Sequence, residues 1–223
     1  GIEIVNENNE HRRYIVRGGQ KYKAMDSNVE GDWSQAAFWT VGGSSGEAVT
    51  CSGVDYTSLQ GDKAVVPIME GMEANITVQG TDVVTGNATT KATVIDAANC
   101  PDIIPVLTVL AAVSEGTTEI INAGRLRIKE CDRLAAITQE LNKLGADITE
   151  LPEGLVIKGK PDGLRGGGEC DAWNDHRIAM SLAIAAQKCA EPFTLTGANS
   201  VQKSYPEFWQ DYKLVGGKIE VLV

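Results

Sequence analysis

Three short stretches of this sequence concentrate charged side chains where chemistry on an anion could be done. They are Arg127-Ile-Lys-Glu-Cys-Asp-Arg133, Asn174-Asp-His-Arg177 and Lys203-Ser-Tyr-Pro206. Each stands at the start of a helix-patterned run, so its charges fall at a helix N-terminus. There the first N–H groups lack intrahelical partners and the peptide dipoles sum to about half a positive charge, a ready site for an anion. Lys129, Arg133, Arg177 and Lys203 are cations at the end of a helix where a cation is normally unfavourable. A bound anion would reverse that penalty. Lys129, Glu130, Arg133 and Arg177 therefore read as a functional cluster. Asp32 and Asp62, each after a glycine, read more simply as helix N-caps. His176 is ambiguous, because an Asp-His-Arg run serves equally well as a structural network.

The elements that must position these residues repeat. Asp32, Asp102 and Asp175 each precede an apolar helical stretch, and Asp62, Asp132 and Tyr205 each open a second one exactly thirty residues later. Three units with one offset argue for internal repetition. After each second helix comes a short alternating run: Ala74–Val78, Ala146–Glu150 and Lys218–Leu222. Ile103 to Val113 is apolar nearly all round, as in a buried helix. Leu134, Ile137, Leu141 and Leu144 recur at three- and four-residue steps, as in an amphipathic one. Buried helices among short strands predict an α/β (α+β) domain with helices inside and sheets outside, not a doubly wound sheet with long apolar central strands. The predicted domain covers 28–223, with units of about 28–98, 99–168 and 169–223. Residues 1–27 read as an interdomain segment with a hairpin across Gly18-Gly19. Gly42-Gly43-Ser44-Ser45-Gly46 reads as a helix-terminating turn, because it lacks the Gly-Lys-Ser/Thr ending of a phosphate loop. Gly163 to Cys170 reads as a loop.

Composition narrows the classes. With 223 residues and 43% hydrophobic content the chain can bury a full core. A net charge of −10 weighs against a nucleic-acid partner, although a local cationic cluster can coexist with it. No apolar run is long enough to span a bilayer, and the opening residues do not read as a secretory leader. Five widely spaced cysteines without a CxxC pair argue against a disulfide framework, and two histidines against a His-rich metal site. A reducing, cytoplasmic setting is expected.

The charged motifs also carry a family resemblance. Arg127-Ile-Lys-Glu-Cys-Asp-Arg133 resembles the R-[VI]-K-E-[ST]-D-R motif of 5-enolpyruvylshikimate-3-phosphate synthases, and Asn174-Asp-His-Arg-Ile-Ala-Met180 resembles their second signature. Glu30-Gly-Asp32, Leu59-Gln-Gly-Asp62 and Lys203-Ser-Tyr-Pro206 follow in the family's order. The resemblance implies an inside-out, barrel-like domain of three repeated βαβαββ-type units. It implies transfer of the enolpyruvyl group of phosphoenolpyruvate to the 5-hydroxyl of shikimate 3-phosphate, with no cofactor and no metal. It further implies Glu130 as the general acid at the methylene, and Asp102 as the group that deprotonates the 5-hydroxyl while holding shikimate 3-phosphate. Arg133, Arg177 and Lys203 would clamp phosphoenolpyruvate, and Lys129 would hold shikimate 3-phosphate. Asp175 and His176 sit beside the clamp with roles left open.

Two positions depart from the pattern. Cys131 stands where the family has Ser or Thr, and Arg125 where some members use Asn to contact shikimate 3-phosphate, so that role is not carried over. The family's Gly-Ser-Lys-Ser and Ser-Ser-Gln segments do not occur in these residues. The expectation is a C-terminal half that needs an N-terminal domain for turnover. The alternatives are a standalone anion-binding domain and a structural domain without turnover.

Overall fold

A computed structural model describes residues 1–9 and 12–222. Among the described residues, thirteen strands and six α-helices form a mixed α/β fold. The strands, in chain order, are β1 (Ile4–Asn6), β2 (Tyr14–Val16), β3 (Val49–Ser52), β4 (Asn75–Gln79), β5 (Asp82–Gly86), β6 (Val94–Asp96), β7 (Thr117–Ile121), β8 (Asp147–Leu151), β9 (Gly154–Lys158), β10 (Leu164–Gly166), β11 (Glu169–Asp171), β12 (Cys189–Glu191) and β13 (Thr194–Thr196). The helices are α1 (Trp33–Ser45), α2 (Val65–Gly71), α3 (Ile104–Ala112), α4 (Arg133–Lys143), α5 (His176–Ala185) and α6 (Phe208–Leu214).

Three helices pack on one another at the centre: α1, α3 and α5. All nine residues of α3 are buried, as its uninterrupted apolar sequence requires. The amphipathic α4 buries Leu134, Ile137 and Leu141 on one face, and Leu144 follows them into the core. Around these helices lie separate small sheets. One is β3-β5-β4, antiparallel throughout; another is β6-β7-β9-β8, in which only β6 and β7 run parallel. Two further parallel pairs, β10-β12 and β11-β13, each join a strand before α5 to one after it in the chain, and β1-β2 forms a separate sheet. No sheet closes into a barrel among the described residues. No helix among them is long and apolar enough to cross a membrane.

Several local expectations change. The expected strand pairing across Gly18-Gly19 does not form; β2 pairs instead with β1, in the register Ile4↔Val16. Gln20 is used as a side-chain clamp, donating to the Glu3 and Arg17 carbonyls and accepting from Glu3 N–H. Gly42 to Ser45 are the last turn of α1, which ends there with Gly46 as its C-cap, as the helix-terminating reading expects. A Cβ on Gly43 would lie 2.2 Å from Thr85 Oγ1, so glycine there lets α1 press against β5. The Gly163 to Cys170 loop contains β10 and β11, with Gly166, Gly167 and Gly168 at φ 77, 76 and 76. Left-handed glycines turn the chain sharply between the two strands. Lys218 to Leu222 forms no strand, because no neighbour offers a ladder to it.

Candidate functional site

The site is assembled from helix starts. Asp32 caps α1 by accepting from Ser34 N–H at 2.8 Å, Asp132 caps α4 through Ala135 N–H at 3.1 Å, and Asp175 caps α5 through Arg177 N–H at 2.8 Å. Asp62 does not cap. It lies inside a 3-10 turn, Gly61–Ala64, whose preceding residue Gln60 offers it no side-chain cap. Gln60 instead accepts from Trp33 N–H at 2.9 Å and donates to Gly31 O and Glu30 Oε1, tying this turn to the start of α1. Asp102 likewise sits in a 3-10 turn, Pro101–Ile103, ahead of α3.

Arg133 is the hub. Only 1% exposed, its guanidinium donates from Nε to Asp175 Oδ2 at 2.7 Å and from Nη1 to Asp102 Oδ1 at 2.8 Å. Its Nη2 donates to Glu130 Oε2 at 2.7 Å and to Asp175 Oδ1 at 3.3 Å. Lys129 Nζ reaches Asp102 Oδ1 at 3.0 Å. Arg177 lies 3.6 Å from Asp102 Oδ2 and donates to the Asp102 carbonyl at 3.3 Å and to Ser34 Oγ at 3.1 Å. Three helix starts, two of them preceded by a carboxylate cap, thus meet over one buried cation. The structure brings Lys129, Glu130, Arg133, Asp102, Asp175 and Arg177 together. His176 is buried beside them, with Nδ1 3.9 Å from both Glu130 and Asp175 carboxylates and no hydrogen-bond partner on that nitrogen. Lys203 touches none of the carboxylates; it is exposed and donates to the Asn174 carbonyl.

The charges shape one another's ionisation. Burial alone would push Asp102 up, but Arg177, Lys129 and Arg133 outweigh it and hold its carboxyl below the usual range. Asp175 is held low in the same way, against its burial, mainly by Arg133. Burial, reinforced by Arg177, lowers His176 and favours the neutral imidazole. Asp62 goes the other way: burial and the Asp102 charge push it up to about 6. Cys131 is pushed up to about 12 by burial and Asp175, so it stays a thiol and donates to Asp175 Oδ2 at 3.5 Å, a bond a hydroxyl could also make.

Sequence reasoning missed Ser34, Asp62 and Glu140. Ser34 had a signal, since it lies two residues beyond a cap at a helix start, where its hydroxyl can face the site. Asp62 was read as a cap, and only the fold sets it beside Asp102. Glu140 had none: its spacing from Lys143 is that of an ordinary surface pair, yet it is fully buried.

Guanidinium, ammonium and carboxylate groups thus converge at helix starts in a mixed α/β domain. Residues 1–212 match the family model of EPSP synthase (3-phosphoshikimate 1-carboxyvinyltransferase). The chain belongs to that family. It is 52% identical over 220 residues to the 3-phosphoshikimate 1-carboxyvinyltransferase of Clostridium novyi, covering 99% of this chain and 50% of that one. It is 50% identical over 210 residues to that of Clostridium kluyveri, covering 94% and 49%. The solved EPSP synthase from Acinetobacter baumannii superposes on the whole chain with TM-score 0.84 and 29% identity, over 54% of its own length. The enolpyruvyl transferase NikO from Streptomyces tendae shares the fold, with TM-score 0.76 at 20% identity, over 99% of this chain and 51% of its own. The chain spans about half the length of the curated relatives it matches.

Proposed function

We propose that this chain is the C-terminal part of an enolpyruvyl transferase acting in the shikimate pathway of aromatic biosynthesis. It would carry the phosphoenolpyruvate side of the site, move the enolpyruvyl group to the 5-hydroxyl of shikimate 3-phosphate and release phosphate. The observation that carries this reading is the Arg133 hub, which holds Asp102, Glu130 and Asp175 on one buried guanidinium. Family membership supplies the reaction, and the hub supplies the groups it needs.

The chemistry requires a proton on the methylene carbon of phosphoenolpyruvate, which makes C2 electrophilic. The 5-hydroxyl adds there and loses its own proton. The adduct then expels phosphate as a proton leaves the new methyl group. Two carboxylates in different roles satisfy this sequence. Glu130, 38% exposed at the side chain, acts at the methylene, and Asp102 takes the hydroxyl proton. Arg177 and Lys203 grip the phosphoenolpyruvate anion, with Lys129 on shikimate 3-phosphate. Arg133 is already bonded to carboxylates, so an incoming anion must exchange with one of them. Glu130 is the more exposed of the two accessible partners, and displacing it from Nη2 would release it toward the substrate. Asp175 is fully buried and stays as the anchor. His176, neutral and unpartnered on Nδ1, stands beside Glu130 as a positioning group.

The same reading organises the fold as three inside-out units, 28–98, 99–168 and 169–223, with 1–27 running between domains. Support comes from the common order of helix, strand and helix in each unit and from α1, α3 and α5 packing centrally. Val29, Leu59 and Ile128, 96%, 99% and 84% exposed, stand beside Glu30, Gln60 and Lys129. Bare apolar side chains around a charged site fit a second domain closing over it. A cytoplasmic setting accords with the five free cysteines.

The test is calorimetric titration of phosphoenolpyruvate into the chain joined to its N-terminal domain, with shikimate 3-phosphate present and Glu130→Gln in the background so that no turnover adds heat. Arg177→Ala is expected to weaken binding about 10- to 100-fold, the worth of a charge-assisted hydrogen bond. Unchanged affinity would remove Arg177 from the clamp.

A further inference from the structure

Glu140 is a carboxylate with no exposure at all, seven residues into α4 from the hub and unused by the proposed chemistry. Its two oxygens gather four hydrogen bonds. Oε1 accepts from the Trp173 indole N–H at 2.9 Å, Oε2 from the Asp171 backbone N–H at 3.0 Å, and Lys143 Nζ donates to both, at 3.0 and 2.7 Å. Two of these partners lie in the segment that leads into α5. That segment is backbone under constraint: Trp173 and Asn174 are consecutive non-glycine residues at φ 52 and 51. Such left-handed residues persist only where their surroundings hold them.

The held segment touches the site twice. Its Asn174 carbonyl accepts from Lys203, and the next residue is Asp175, the anchor of Arg133. We infer that Glu140 is a positioning residue: through Trp173 and Asp171 it locks the left-handed turn that presents Asn174 to Lys203 and Asp175 to Arg133. A helix that starts with the hub residue thus also sets, two turns later, the height of the neighbouring helix start. Lys143, at the solvent edge, sets its ammonium against both Glu140 oxygens. The functional consequence rests on the proposed role of Lys203; the lock itself does not.

Two measurements on the chain joined to its N-terminal domain separate these. The first is hydrogen exchange of the Trp173 indole N–H, assigned in the NMR spectrum by its loss in Trp173→Phe. Slow exchange is expected in the parent protein and at least about tenfold faster exchange in Glu140→Gln. Equal rates would overturn the lock. The second is phosphoenolpyruvate affinity in a double-mutant cycle with Lys203→Met. Glu140→Gln is expected to weaken binding about tenfold in the parent and less than about twofold beside Lys203→Met. Additive losses would mean that Glu140 acts only on general stability and would overturn the positioning role. If Glu140→Gln does not fold, Trp173→Phe takes its place in the cycle, and full additivity there gives the same negative answer. A parent protein that binds no phosphoenolpyruvate would sink the proposed function, while the indole exchange would still decide the lock.

Discussion

Arg133 and Asp62 show how far residue type alone can mislead about environment. Arg133 reads as a clamp on phosphoenolpyruvate, yet it is almost completely buried and already satisfied by three carboxylates. The motif made its importance legible. Its burial was not, because two of the three carboxylates come from helix starts 31 and 42 residues away. Asp62 reads as a cap, but the fold places it near Asp102, where like charge and burial raise its pKa to about 6. The sign of the consequence is definite. A carboxyl raised in the folded state binds its proton more tightly there than in the unfolded chain. Below about pH 4 both states are protonated and nothing is lost; between about 4 and 6 the folded state forfeits stability, and above that the penalty is complete. Asp62→Asn is therefore expected to stabilise the protein by on the order of 1–3 kcal/mol at pH 7 and to change little at pH 3.5. Urea midpoints at the two pH values check it. Equal gains at both would show that ionisation is not the cause.

At the scale of elements, aspartates ahead of helix-patterned runs and apolar periodicity were good guides to the helices, although of Asp32 and Asp62, the two read as caps, only Asp32 caps. Asp32, Asp132 and Asp175 cap helices, and the all-apolar α3 is buried along its whole length. These signals are local, so a single sequence contains them. Partnered features were not local. Lys218 to Leu222 alternates like a strand but meets no ladder, and Tyr14 to Val16 pairs with Ile4 to Asn6 instead of the segment after Gly19. Gly42 and Gly43 lie inside the last turns of α1, where glycine lowers helix propensity. Here the cost is accepted for close packing. Gly43→Ala should raise helix propensity by about 1 kcal/mol, yet its Cβ would meet Thr85 Oγ1 at 2.2 Å and Val49 Cβ at 2.9 Å. A net destabilisation of about 1–3 kcal/mol by denaturant unfolding is expected, since overpacking forces backbone shifts. A stabilised variant would show that α1 and β5 are not tightly apposed.

At the scale of the whole chain, a family domain spans half the length of its relatives, with Asp102, Lys129 and Glu130 of its charged cluster partly exposed. The common thirty-residue offset in the sequence predicted that distant helix starts share a face, and Arg133 does meet Asp102 and Asp175. The sequence could not reveal the buried brace at Glu140, whose partners are joined only by folding. The central claim is that these residues form half of an enolpyruvyl transfer site. The most direct measurement is phosphate release from phosphoenolpyruvate and shikimate 3-phosphate by residues 1–223, alone and mixed with a separately made N-terminal domain. We expect no turnover alone, turnover on mixing, and none on mixing when Glu130→Gln replaces the parent chain. Turnover by residues 1–223 alone, or full turnover by the Glu130→Gln mixture, would contradict the account.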